Sequence, residues 1–293
     1  MPDLPILTDN ESGNAVRRRL VGGALRRYRQ HVGYGLADAA EVLECDRSKI
    51  SRIETGQRGI RPKELRELLT EYGIHGGELA ILMAVADPFA ARRGWWRDYA
   101  DIIPAVYQNL MIMEALASEI LVYDTQQVPN LLQTRDYARA VAESDLDTPE
   151  SSTLDRIAEM STTRQQVIVE ERRTTVTAVI GEAALCQQVG DADVMRDQIR
   201  WLAEVSATRP WITLQILPFR GGVHPQCAGS MSILRFAEAP GLGVVHTRGL
   251  NGGVCLTGQA TIAEHFRAFT HLQVSALSQQ QSADLLREIP VAA

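Results

Sequence analysis

The chain has 293 residues, 45% of them hydrophobic and 23% charged, with a net charge of −6. That length suits two domains, and that balance excludes wholesale disorder, a collagen-like fibre and a coiled-coil rod. No stretch approaches the roughly 18 uninterrupted apolar residues of a membrane helix, and the N-terminus has no charged-then-apolar leader pattern.

Cys45, Cys186, Cys227 and Cys255 are too far apart for a zinc site or a disulfide framework. They are expected as buried thiols in a reducing cytoplasm. Charge is distributed unevenly. Residues 15–75 hold 13 Lys/Arg against 8 Asp/Glu, a balance of +5, whereas residues 76–293 hold 17 against 25, a balance of −8. A basic head on an acidic body implies that only the head meets phosphate.

From Val16 the pattern is helical: Leu20, Ala24, Leu25 and Tyr28 repeat at three- and four-residue spacing, with Arg17, Arg18, Arg19, Arg26, Arg27 and Arg29 around them. HVGYG breaks it. A short second helix is expected over 36–43, with Leu36, Ala39, Ala40 and Leu43 on one face. After the turn Glu44-Cys45-Asp46, the stretch RSKISRIETG predicts a third helix, capped by Asp46, anchored by Ile50 and Ile53, and ended by Gly56 in a left-handed conformation. Pro62 fits the first turn of a fourth helix running to about Tyr72, and residues 76–86 predict a fifth.

Two short helices joined by a tight turn, the second exposing polar side chains, form a helix-turn-helix. A major groove about 12 Å wide admits one helix, and the forked guanidinium of Arg suits the two acceptors of guanine. On AAEVL, the turn and SKISRIETG, residues 17–75 resemble the lambda/434 repressor-like (XRE) family. That resemblance implies that Arg47, Ser48 and Arg52 read bases, with Lys49 and Ser51 flanking them. It implies that Thr55, Gln57, Arg58 and Arg61 lie along the DNA backbone, and that Arg29 and Glu54 form a structural ion pair. The chain departs from the family in two places. Gly35-Leu36 stand where a Ser or Thr cap and a Gln usually open the second helix, and Glu44 stands where the turn usually carries Gly, a position of expected mild strain.

The body is read as α+β. The Arg/aromatic cluster of residues 88–107, with Arg92, Arg93, Trp95, Trp96 and Tyr99, reads as a hinge with packed Trp rings rather than a ligand platform. A helix or helix–strand join covers 110–122 and ends in the strand-like run EILVYDT. A charged helix is expected over 150–171 and another over 191–207. Strands are expected at TTVTAVIGE, WITLQILPF, GSMSILRFA and GVVHTRG, giving a small sheet of four or five strands, and one long helix over 258–287. On VPNLLQTRDYARAV, VIGEAALCQQVG, ITLQILPFRGGVHP and TIAEHFRAFTHLQVSALS, the body resembles the C-terminal domain of the actinobacterial WhiJ-like helix-turn-helix regulators. The resemblance implies a transcriptional regulator whose body senses a signal or binds a small partner protein encoded nearby, in an antitoxin-like arrangement.

The expected layout is a tail over 1–15, a helix-turn-helix domain over 16–87, a hinge over 88–109, an effector, dimerisation or partner-binding domain over 110–288 and a tail over 289–293. The loop PFRGGVHPQCAGS, with Arg220, Gly222 and His224, could cradle a ligand or simply connect two strands at positive φ. With Gln133 and Thr134 it is the expected place for an effector or partner contact. No catalytic constellation, metal set or cofactor motif is expected. The expected protein is a homodimer on a near-palindromic duplex DNA operator, with no enzymatic activity. The alternatives are an antitoxin-like protein that sequesters its partner, and a regulator that senses a small molecule.

Overall fold

The computed structural model describes residues 14–87, 89, 93–103, 105–145, 149–222, 229–249 and 252–289. Among these residues the chain divides into two compact units that interleave in sequence. One comprises Met1–Arg97, Ile103–Ser118 and Ile233–Glu264; the other comprises Asp98–Ile102, Glu119–Ser232 and His265–Ala293.

The first unit opens with five helices, α1 (Asn14–His31), α2 (Leu36–Val42), α3 (Arg47–Glu54), α4 (Pro62–Glu71) and α5 (Gly76–Ala86), as the apolar spacing predicts. Their inner faces make one core, in which Leu25, Ile50, Leu65, Leu68, Leu69 and Leu82 are almost completely buried. A 3-10 turn, Trp95–Tyr99, begins in this unit, and α6 (Ala105–Glu114) lies wholly within it. The Trp95 and Trp96 rings meet edge to face with centroids 5.9 Å apart.

The second unit holds β1 (Glu119–Asp124), α7 (Arg135–Glu143), α8 (Ser151–Gln165), β2 (Thr175–Gly181), the short α9 (Ala183–Cys186), α10 (Ala192–Thr208) and β3 (Ile212–Leu217). The three strands are parallel, β1 to β2 and β2 to β3. Parallel neighbours require long crossovers, and α7–α8 and α9–α10 supply them. The strand interiors accordingly read as continuous apolar runs: Val176, Ala178, Val179 and Ile180 are fully buried. The helix expected over 150–171 is α-helical only to Gln165 and continues as a π-helical segment, Gln166–Glu171.

Three more strands follow, β4 (Met231–Arg235), β5 (Gly243–Gly249) and β6 (Gly252–Leu256); β5 and β6 pair antiparallel. Six strands therefore lie among the described residues, against four or five expected. The unexpected one is β6, whose opening Gly252-Gly253 reads as a breaker. Gly253 serves there because the imidazole of His246 occupies the space of a side chain: an added Cβ would lie 2.0 Å from His246 Nε2.

The chain closes with two helices, α11 (Gln259–Ser275) and α12 (Gln279–Glu288), not the single long helix expected. A capping box at Ser278 divides them. Ser278 N–H donates to Gln281 Oε1 at 3.0 Å and Gln281 N–H donates to Ser278 Oγ at 3.2 Å. The thiols also differ from expectation, since Cys255 is buried, Cys45 is half-buried and Cys186 is exposed. Cys186 ends a four-residue helix. Cys227 lies outside the described residues. Among the described residues, no helix is long and apolar enough to cross a membrane.

Candidate nucleic-acid interface

Local chemistry fixes α3 at both ends. Asp46 caps it, its carboxylate accepting from Ser48 N–H at 2.7 Å. That bond, and the hydroxyl of Ser48, hold the Asp46 carboxyl below the usual carboxylate range. At the other end Gly56 takes φ +75°, and its N–H donates to Ile53 O at 3.0 Å. An added Cβ at Gly56 would also strike Arg19, 2.9 Å from its Cα.

Between the caps, Ile50 and Ile53 are 1% and 2% exposed, and α3 sits directly on α1 at Gly22. A Cβ there would lie 2.3 Å from Ile53 O. Sequence reasoning passed over Gly22. The signal was available, since a glycine inside an otherwise regular helix implies a packing reason.

A buried ion pair ties the two helices further. Arg29 Nε donates to Glu54 Oε1 at 2.6 Å and Arg29 Nη2 donates to Glu54 Oε2 at 2.9 Å, a two-pronged contact, while Arg29 Nη1 donates to Tyr34 O at 2.7 Å. The hydrogen bond to Glu54 raises the Arg29 pKa despite burial. The turn before α3 is the strained one expected: Glu44 has φ +47°, a left-handed conformation that costs a non-glycine residue free energy. Gly35 opens α2 without a side-chain cap, but its N–H donates to Asp38 Oδ2 at 2.6 Å.

With Ile50, Ile53 and Glu54 turned inward, Arg47, Ser48 and Arg52 are exposed, as are Thr55, Gln57, Arg58 and Arg61 in the segment after α3. Arg52 Nε donates to Ser48 O at 3.3 Å. Thr55 Oγ1 donates to Ser51 O at 2.9 Å, which ties its hydroxyl to the helix end. Ser51 is half-buried. Lys49 is turned toward α4, with Nζ 2.9 Å from Glu64 Oε1 and both side chains 19% exposed. Burial alone would raise the Glu64 carboxyl, but the hydrogen bond and charge of Lys49, with the Arg61 N–H, hold it below its ordinary value.

The arginines of α1 are not all peripheral, as the spacing had suggested. Arg17 is 5% exposed and donates to Asp87 O at 2.7 Å. Tyr28 donates to Glu78 and accepts from Arg27 Nη2 at 2.9 Å. Burial, then the bond to Glu78, push the Tyr28 hydroxyl up to about 12. Arg27 Nη1 also donates to Gly241 O at 2.7 Å, so the side of α1 away from α3 is held by the segment before β5.

Of the residues expected to meet an effector, Gln133 and Thr134 make hydrogen bonds within the second unit. Gln133 is buried and its Nε2 donates to Val128 O at 2.8 Å. Thr134 caps α7, accepting from Tyr137 N–H at 3.3 Å, while its own N–H donates to Gln198 Oε1 at 2.7 Å. Gln198, fully buried, also donates to Leu132 O at 2.8 Å. Arg220 is exposed in a 3-10 turn that Gly222 ends with φ +82°, the positive φ that a connecting loop needs. His224 lies outside the described residues.

Residues 20–82 match the family profile described as a helix-turn-helix domain. Residues 107–288 match the profile described as a domain of unknown function, DUF5753. A search of curated proteins and a search of solved structures returned no match. The helix-turn-helix match, with the geometry of α2 and α3, supports a DNA-binding regulator.

Proposed function

The chain belongs to the DUF5753 family and carries a helix-turn-helix domain ahead of that region, and from this premise we propose a sequence-specific transcriptional regulator that places α3 in a DNA major groove. One observation carries the reading. The second helix of the helix-turn-helix is anchored from behind by Ile50, Ile53 and the Arg29–Glu54 pair, and it leaves Arg47, Ser48 and Arg52 in solvent. A solvent-facing pair of arginines on a rigid rod suits the acceptors of guanine. Arg58 and Arg61 suit phosphate. The pairing of Lys49 with Glu64 makes it a support for α4 rather than a base reader.

The reading extends to the XRE and WhiJ-like patterns that the motifs resemble. A single small head makes few phosphate contacts, so two heads on a two-fold axis would gain affinity through effective concentration on a near-palindromic operator. Region 107–288 would dimerise and receive the signal, from a small protein partner in an antitoxin-like arrangement, in the cytoplasm. It would act by binding and not by turnover. A partner regulates only if its affinity differs between the DNA-free and DNA-bound forms.

The test is fluorescence anisotropy on a duplex selected from a random library by the full chain. Arg47→Ala and Arg52→Ala should each cost about 1–3 kcal/mol and relax sequence preference. Arg58→Ala and Arg61→Ala should weaken all sequences alike and flatten the salt dependence. Unchanged binding in both Arg47→Ala and Arg52→Ala would show that α3 is not the reading element.

A further inference from the structure

A cavity of about 200 Å³ lies in the first unit, between the start of α1, the end of α5 and the loop after α3. Its wall is apolar at Val21, Ile53, Ile60 and Val85 and cationic at Arg18 and Arg58. Arg17 also contributes to the wall, and none of the described residues lining it is acidic. The Nε of Arg18 is buried without a hydrogen-bond partner, a state that buried N–H groups rarely keep. Guanidinium groups in a partly enclosed, apolar surrounding favour an anion, because low local dielectric strengthens the attraction. Their planar forks fit a carboxylate in particular.

Size narrows the choice. A cavity of about 150 Å³ lined by apolar side chains holds benzene. A space of about 200 Å³ therefore takes a body the size of a ring or a short branched chain, with its carboxylate at the cationic wall. We infer that this cavity binds a small organic monocarboxylate, its hydrocarbon part among Val21, Ile53, Ile60 and Val85 and its carboxylate on Arg18 and Arg58.

The site joins two parts of the proposed DNA interface. Ile53 belongs to α3, and Arg58 stands in the loop that the proposed function sets along phosphate. An occupant that engages Arg58 competes with DNA for it, so ligation weakens operator binding. That consequence rests on the DNA-binding reading, and the occupancy of the cavity does not. The binding test is therefore run on the full chain without DNA.

Calorimetry and saturation-transfer NMR with benzoate, hexanoate and the neutral benzamide are the measurements. Benzoate or hexanoate should bind at one site per chain, with benzamide at least tenfold weaker than benzoate. Arg18→Met, which keeps an apolar stem and removes the charge, should weaken carboxylate binding tenfold or more while the melting temperature stays unchanged. Saturable binding of neither carboxylate would overturn the assignment, as would equal binding of benzoate and benzamide, or unaltered affinity in Arg18→Met. A chain that binds the carboxylate but no DNA upholds the cavity and removes only its regulatory consequence.

Discussion

Adjacent glycines in α1 should respond to the same substitution with opposite signs. At Gly22 an added methyl would lie 2.3 Å from Ile53 O and 2.9 Å from Glu54 O. Both are backbone atoms of the helix that presents Arg47 and Arg52, so no flexible side chain can swing away. Reaching ordinary contact requires α1 and α3 to part by about 1 Å, an overpacking strain of about 1–3 kcal/mol, partly offset by the helix propensity that Ala gains over Gly, about 1 kcal/mol. At Gly23 nothing lies within 4 Å of the added atom. There Gly23→Ala should stabilise by about 0.5–1 kcal/mol through backbone entropy alone. Thermal unfolding of the full chain, followed by circular dichroism, separates the two. A change of 1 kcal/mol moves the midpoint of a chain this size by roughly 2–4 °C, so Gly22→Ala should melt lower and Gly23→Ala slightly higher. Gly22→Ala should also lose DNA affinity, because it displaces α3. Equal melting of the two variants, or a Gly22→Ala chain that melts higher than the parent, would refute the proposed close packing of α1 on α3.

Other perturbations probe the same framework. Glu54→Gln leaves Arg29 buried and without its counter-charge, and should cost about 3–5 kcal/mol by urea titration, whereas the double change Arg29→Met with Glu54→Leu should recover much of that loss; an additive double variant would contradict a coupled pair. In the second unit Asp101 accepts two hydrogen bonds from Arg156, which holds its carboxyl down at about 2 instead of near 3.8. This depressed pKa contributes stability above pH 4 that disappears as pH falls toward 2. Carboxyl NMR of Arg156→Met should therefore show Asp101 titrating near its ordinary value. The stability gap between parent and variant should close over that same pH range, and an unshifted Asp101 would remove Arg156 as the cause.

The head was largely legible because its signals are local. Asp46 before an amphipathic run, two isoleucines three residues apart and Gly56 after them each act within one turn of helix, and all agree on one rod. The Arg29–Glu54 pair came from the resemblance, since 25 residues separate the two. What escaped was set by distant neighbours. Gly22 and Gly253 show their role only once Ile53 O and His246 are seen to fill the space beside them. Arg17 reads as a surface charge but is buried against the Asp87 carbonyl, and the pairing of Lys49 with Glu64 joins two helices that the local spacing does not bring together. The division of α11 from α12 was readable in principle, because Ser278 and Gln281 carry the spacing of a capping box. The helical periodicity on both sides of them hid the interruption. The bonds of Gln133 and Thr134 to the backbone groups of Val128 and Tyr137 depend on the folded loop around them.

Methylation interference on the selected operator tests the major-groove reading most directly, because N7-methylguanine blocks the acceptor that a guanidinium fork would use. Seating α3 in the groove of each half-site predicts interference at guanines in two clusters about 10 base pairs apart, lost selectively when Arg47 and Arg52 are replaced. Binding that tolerates N7 methylation throughout the site, with the same affinity for parent and variants, would contradict it.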